Sequence, residues 1–419
     1  MRISISKSDI QGQAKAPPSK SYTIRGLMCA ALANGPSELR NPLSSDDTAV
    51  AVQVLEQIGV RIWPGQRSWQ IEGGNFRTPS RDLFCGDSAA TLRFMSAIGS
   101  LVPGFTRLTA GASLAKRTVR ILVEALRQWG VEITCQGEFP PVEIQGRGIP
   151  GGLTELPGDI SSQYVSALLL VAPLAENKAA IRLTAPLESR PYVFMTLECL
   201  RQFGVRVRTA DDLMDYEILP QAYRPAVYEV EGDWSSASYL LGMGVVGGEV
   251  RVGNLNPRSL QGDRAIVSLL NEMGASVEEA GDVVAVMGGQ LRAIRADVSN
   301  CIDLLPTLAA LAALASGESE FSGIRRARLK ESDRIAALRA GLEKVGIRTD
   351  EKPDRLTVTG GRPVAAVIDS RSDHRIAMAF SLIGAAIGGI TIEGAECVSK
   401  TYPEYWRTLR NLGVKLDEQ

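Results

Sequence analysis

Six times along the chain, at nearly even intervals, the sequence repeats the phrase Leu-x-x-apolar-Gly-apolar. The copies end in Gly59, Gly130, Gly204, Gly274, Gly346 and Gly413, spaced 71, 74, 70, 72 and 67 residues apart. Before each glycine, apolar residues fall at the spacing of an amphipathic helix (Val54, Leu55, Ile58; Leu122, Leu126, Trp129; Leu197, Leu200, Phe203). Glycine suits the left-handed cap position that ends a helix, and an apolar, β-branched-rich strand follows it. A fixed period means one supersecondary unit used repeatedly. Units of this size exceed a solenoid repeat, and six of them account for all 419 residues.

Each repeat holds a second, more apolar helix, beginning near Ser21, Ser88, Ser161, Ser235, Asp303 and Asp373. Short strands follow at Glu38-Leu39, Thr106–Leu108, Ala180–Leu183, Glu249–Val252, Ser319–Phe321 and Ile390–Ile392. The predicted class is α/β, with six units of strand–helix–strand–helix–strand–strand. In each, a helix apolar nearly all round lies inside and an amphipathic helix covers it. A chain this long exceeds one hydrophobic core, so six units divide into three and three. Met1–Lys7 reads as an alternating strand ahead of the first repeat, able to pair with the tail Gly413–Leu416. Residues 1–17 with 233–419 then form one discontinuous domain and residues 18–232 the other. The chain crosses twice, near Pro17-Pro18 and near Gly232, which makes a hinge and a cleft suited to a ligand.

The composition is that of an ordinary globular protein, 45% hydrophobic and 22% charged. MRISISKSDI lacks the apolar core of a secretory signal, and Ile376–Ile392 reads as a buried helix plus strand rather than a membrane span. Six scattered cysteines without a C-x-x-C pair read as free thiols, and a single histidine, His374, argues against zinc. The expectation is a cytoplasmic, metal-free protein. A formal charge of −1 gives no general attraction to nucleic acid or to acidic membranes.

The placement of cations says more than their number. Lys20 and Arg25 flank Ser21 at the first inner helix, Arg93 lies one turn into the second, and His374-Arg375 open the sixth. The macrodipole makes cations unfavourable at helix N-termini unless an anion is bound there, whereas free N–H groups with Ser and Lys or Arg form an anion site. Ser161-Ser162-Gln163 is an uncharged version of the same pattern. Lys116-Arg117, KESDR (Lys330 to Arg334) and Lys400 add charge before other helices. Together these suggest helices aimed at a shared, strongly anionic ligand. Gly146–Gly151 and Gly242–Gly247 both match G-x-G-x-x-G, but neither has the strand–turn–helix setting that binds phosphate, and no Walker A sequence occurs.

The motifs PPSKSYTIR, SSQ, ESRPY, LKESDR, SDHRIAM and SKTYPEY resemble those of the 5-enolpyruvylshikimate-3-phosphate (EPSP) synthases of the enolpyruvyl transferase family, over essentially the whole chain. The resemblance implies six βαβαββ repeats in two three-unit domains, with inner helices pointing into an interdomain cleft. It implies transfer of enolpyruvyl from phosphoenolpyruvate to the 5-hydroxyl of shikimate 3-phosphate, with release of phosphate, by a cytoplasmic monomer without cofactor or metal. Carried over by position, Lys20, Ser21, Arg25, Ser161, Ser162, Gln163, Ser189, Asp303 and Lys330 meet shikimate 3-phosphate, with Tyr192 close by. Lys20, Ala89, Arg117, Gln163, Arg334, Arg375 and Lys400 meet phosphoenolpyruvate. Asp303 and Glu331 match the carboxylates of proton transfer. Asp303 would take the hydroxyl proton, and Glu331 or Lys20 would protonate C3. Two highly charged substrates repel each other, so domain closure is expected to gather cations around them.

Departures from the family pattern are Asp87 for Asn, Ala89-Ala90 for Gly-Thr, Thr118 for Pro after Arg117, and Arg326 near a position that is Asn in some members. Ala89 resembles the residue found in glyphosate-tolerant members. Two alternatives are a UDP-N-acetylglucosamine enolpyruvyl transferase and a non-catalytic binder of phosphorylated ligands. The first normally has Asn after the motif lysine, where this chain has Ser21, and often a reactive cysteine in a loop where Gly111–Thr118 has none. The second has no need of Asp303 and Glu331 beside its arginines.

Overall fold

A computed structural model describes residues 1–419 and places each of the six glycines in the left-handed region, with φ between 79° and 102°. Each helix end has the same pair of bonds. The glycine N–H donates three residues back, as Gly130 to Arg127 at 2.9 Å. The next N–H reaches the motif leucine, as Val60 to Leu55 at 3.1 Å and Ile347 to Leu342 at 2.9 Å. This is the Schellman arrangement, in which the leucine and the apolar residue after glycine also pack together. The recurring phrase is therefore a helix stop made six times.

The strands form six four-stranded sheets, each with one parallel and two antiparallel pairings. Contacts divide the chain into two compact lobes. The continuous lobe is Ser19–Val230, and the split lobe is Met1–Pro18 with Glu231–Gln419. Both lobes borrow strands from distant sequence. In the continuous lobe Val227–Glu229 lies parallel to Gly35–Arg40 and completes the first sheet. In the split lobe Arg2–Ile5 sits antiparallel between Ile390–Glu393 and Leu416–Glu418. Ile10–Lys15 runs parallel to Gly248–Gly253.

The inner helices are Lys20–Leu32, Ala89–Ile98 and Ser162–Val171 in the continuous lobe, and Trp234–Gly247, Leu305–Leu314 and His374–Ile387 in the split lobe. They pack on one another at each lobe's centre. Ser162–Val171 buries every residue but Gln163, whereas the outer helix Arg120–Gln128 buries only Leu122, Val123, Ala125 and Leu126. One helix start differs from expectation. Asp303 lies in a 3-10 turn, Ile302–Leu304, and the α-helix begins after it at Leu305, with Pro306 in its first turn. Proline is tolerated there because that N–H has no helical partner, so the turn ahead of it carries the aspartate. No helix is long and apolar enough to cross a membrane.

Candidate active site

In the continuous lobe, hydroxyls, carbonyls and an amide contact two arginines. Arg25 is 2% exposed and has no carboxylate partner. Its Nε donates to Thr196 Oγ1 (2.8 Å), Nη1 to the Ser21 carbonyl (3.0 Å) and Nη2 to the Tyr192 carbonyl (3.2 Å). The Tyr192 and Phe94 rings lie 5.8 and 5.5 Å from the guanidinium carbon. Burial lowers the Arg25 pKa, the energetic mark of a cation without a counter-charge. Arg93 is the second. Its Nη1 donates to Gln163 Oε1 (2.7 Å) and Ser161 Oγ (3.2 Å), and its guanidinium lies over the Tyr164 ring at 4.9 Å. Ser161 caps the helix that Ser162 begins. Ser189, 2% exposed and left-handed at φ 51°, caps Arg190–Gln202, the helix carrying Tyr192 and Thr196.

Lys20 is the first residue of its helix, and its Nζ pairs with Asp47 Oδ2 at 2.8 Å. The expectation of a basic helix start needing an external anion is thus met in part from within. Asp47 lies in the first turn of Asp46–Gln57, behind a capping box of Ser45 and Thr48. Ala89 opens the helix Ala89–Ile98 and is 8% exposed. Arg117 follows the 3-10 turn Leu114–Lys116.

The split lobe gathers the carboxylates. Asp303 Oδ1 accepts from Arg334 Nη1 at 2.6 Å, with Lys330 Nζ at 3.3 Å and Arg375 Nε at 3.5 Å. Glu331 Oε2 accepts from Arg334 Nη2 at 2.6 Å. Asp373, wholly buried, accepts from Arg334 Nε (2.9 Å), Ser332 Oγ (3.0 Å) and the Arg375 N–H (3.0 Å) while capping the helix that His374 opens. Burial opposes the Arg334 charge, but Asp373, Glu331 and Asp303 outweigh it and raise its pKa. Arg334 is 1% exposed, and one N–H on Nη1 remains for a further acceptor. Asp333 caps the helix that Arg334 begins. Lys330 has 23% of its side chain exposed, yet desolvation of its ammonium, opposed by Asp303, brings its pKa down to about 8. Lys400 ends the 3-10 segment Ala395–Lys400, packed on the helix His374–Ile387.

Three acids here escaped the sequence reading. Asp47 and Asp373 sit at helix starts, where acids are ordinary, and only the fold brings Lys20 and Arg334 to them. Asp263, 4% exposed, has no cation within ion-pair distance and accepts a hydrogen bond from Ser235 Oγ. Burial first and Asp303 second raise its pKa to about 7, with Arg375 and Ser235 opposing. Asp87 proves to be a loop ligand. Its Oδ1 accepts the N–H groups of Ser113 (3.1 Å) and Leu114 (2.9 Å).

The chain thus holds a buried arginine without an acid, a serine-rich helix start around another arginine, and a carboxylate among three cations. A family model described as EPSP synthase (3-phosphoshikimate 1-carboxyvinyltransferase) matches residues 5–409. A protein of Dehalococcoides mccartyi named 3-phosphoshikimate 1-carboxyvinyltransferase is 48% identical over 418 residues, 99% of each chain. One of the same name from Methanothermobacter thermautotrophicus is 39% identical over 424 residues and the full length of both. Among solved structures, an EPSP synthase from Acinetobacter baumannii superposes with a TM-score of 0.84 at 27% identity, covering both chains fully. The enolpyruvyl transferase NikO from Streptomyces tendae shares the fold, with a TM-score of 0.80 at 17% identity over 100% of this chain and 98% of its own. The chain belongs to the EPSP synthase family.

Proposed function

We infer that this protein is a 3-phosphoshikimate 1-carboxyvinyltransferase, which joins the enolpyruvyl group of phosphoenolpyruvate to the 5-hydroxyl of shikimate 3-phosphate and releases phosphate. The observation that carries the reading is Asp303, a nearly buried carboxylate with Arg334, Lys330 and Arg375 around it and Glu331 on the same Arg334. A non-catalytic anion binder has no use for a carboxylate there.

In the proposed mechanism the 5-hydroxyl oxygen attacks C2 of the enol phosphate, phosphoenolpyruvate, as C3 takes a proton. Asp303 receives the hydroxyl proton, and a tetrahedral adduct forms. Loss of phosphate and of one C3 proton then restores the double bond. Glu331 or Lys20 supplies the C3 proton. Arginine forks suit the carboxylate and phosphate oxygens because each binds two at once. Ser21, Arg25, Ser161, Ser162, Gln163, Ser189, Tyr192 and Lys330 take shikimate 3-phosphate. Lys20, Ala89, Arg117, Gln163, Arg334, Arg375 and Lys400 take phosphoenolpyruvate. We further propose a monomeric, cytoplasmic enzyme that needs no cofactor. Mass spectrometry of the product tests the reaction, with the enolpyruvyl ether of shikimate 3-phosphate expected in metal-free buffer. Hydrolysis of phosphoenolpyruvate without that product would refute it.

A further inference from the structure

The short strand Leu83–Phe84 lies parallel to Gly104–Thr109, and the pairing does not stop where the strands do. The Cys85 N–H donates to the Thr109 carbonyl (2.9 Å), and the Gly111 N–H to the Gly86 carbonyl (2.6 Å). Asp87 then extends the contact with its side chain, one oxygen accepting both the Ser113 and Leu114 N–H groups. Space there is closed. A Cβ added to Gly111 would stand 2.7 Å from Asp87 Oδ1, inside any real contact distance. The same loop turns once through Leu114–Lys116, with Leu114 1% exposed, and the Arg117 N–H donates to the Leu114 carbonyl at 3.0 Å.

Arg117 itself has no ion pair or side-chain hydrogen bond, and its Nε is enclosed. No hydrogen bond or ion pair holds its guanidinium, so where it points depends on how its backbone is placed. That backbone is tied, three residues upstream, to Asp87, and Asp87 directly precedes the cap of the helix that begins with Ala89. We propose that Asp87 is a positioning residue that latches the Arg117 loop to the start of the Ala89–Ile98 helix and thereby sets affinity for phosphoenolpyruvate. The proposal rests on the assignment of Arg117 and Ala89 to that substrate. A carboxylate strengthens both backbone bonds by charge, and those two N–H groups occupy the oxygen nearest the loop. An amide oxygen could accept the same pair, so the geometry requires the acceptor more than the charge.

The test compares Asp87→Ala, Asp87→Asn, Gly111→Ala and the double variant Asp87→Ala/Gly111→Ala. Asp87→Ala should raise the KM for phosphoenolpyruvate by roughly tenfold or more, the scale of losing hydrogen bonds to a charged group. Shikimate 3-phosphate affinity, measured alone by calorimetry, should stay within about twofold because its residues lie on other segments. Asp87→Asn should restore the KM to within about threefold of the parent. Gly111→Ala should mimic Asp87→Ala, and the double variant should be no worse than either, since both break one contact. Hydrogen exchange of the 111–117 segment, read by mass spectrometry, should quicken in Asp87→Ala. That measurement reads the latch without turnover, so an inactive parent protein would overturn the function while leaving the latch decided by exchange. An unchanged KM and unchanged exchange in Asp87→Ala would overturn the proposal, as would equal weakening of both substrates. Asp87→Asn behaving as badly as Asp87→Ala would overturn the acceptor role.

Discussion

Arg334 and Asp303 meet at 2.6 Å, Nη1 to Oδ1, with both side chains nearly sealed from solvent. The same guanidinium holds Glu331 and Asp373 on its other nitrogens, so one arginine sets the positions of both carboxylates assigned to proton transfer. Arg334 sits at the first position of a helix capped by Asp333, which fixes its backbone as well. Preorganisation of this kind means that the acids need not be gathered when substrate arrives.

If Asp303 is the base, Asp303→Asn should keep the Arg334 contact through its amide oxygen and lose the proton acceptor. The expected fall in kcat is roughly 10²- to 10⁴-fold, the usual contribution of acid–base catalysis, with substrate affinities much less affected. Steady-state kinetics decide it, and an unchanged kcat would remove Asp303 from the mechanism.

Lys330 offers a pH signature. Its pKa, near 8 in place of an ordinary value of 10.5, leaves it charged below about pH 8 and neutral above. The KM for shikimate 3-phosphate should therefore rise as pH climbs past about 8, by at most about tenfold per unit. Lys330→Met should show a high KM with no bend in that range. A bend that survives in Lys330→Met would assign the titration to another group.

Asp263 bears on stability instead. Its folded pKa of about 7 lies above the ordinary aspartate value of 3.8, so the unfolded chain gives up the proton first. Stability should therefore decline as pH rises from about 4 to about 7 and level off beyond, the sense required when the native state binds more protons. Asp263→Asn, which imitates the protonated acid, should remove that slope and gain on the order of 2–4 kcal/mol at pH 8 relative to the parent. Urea unfolding at pH 5 and pH 8 measures it. Equal effects at both pH values would refute a buried acid that holds its proton.

Ala89 carries the remaining prediction. The residue is nearly buried at the start of its helix, where family members commonly have glycine, and close-packed sites respond to one methyl group. Overpacking costs on the order of 1–3 kcal/mol, roughly 5- to 150-fold in affinity. The inhibitor glyphosate, longer than phosphoenolpyruvate, should feel that loss more. Ala89→Gly should lower the glyphosate inhibition constant while changing the phosphoenolpyruvate KM less. Unaltered inhibition would mean that the methyl group points away from the pocket.

Much of this was legible in the sequence because its signals are local. The Leu-x-x-apolar-Gly-apolar phrase encodes a bond pattern within six residues, and the inner helices declare themselves by unbroken apolar runs. Long-range partners were not legible. Lys20 finds Asp47 across 27 residues, and Arg334 finds Asp373 across 39. Nothing in SSDDTAV or RSDHR tells a cap from an ion-pair partner. In the sequence Asp87 stands out only as a departure from the family's Asn, and the return of the 111–114 loop shows what its oxygen holds. The three-residue strand Val227–Glu229 was too short to read, since its partner in the first sheet lies almost 190 residues earlier.

The most direct test of the account is steady-state phosphate release from phosphoenolpyruvate by the purified protein, with no metal or nucleotide added. The account predicts release that requires shikimate 3-phosphate and is not supported by UDP-N-acetylglucosamine. Equal or faster release with the UDP-sugar, or none with shikimate 3-phosphate, would contradict it.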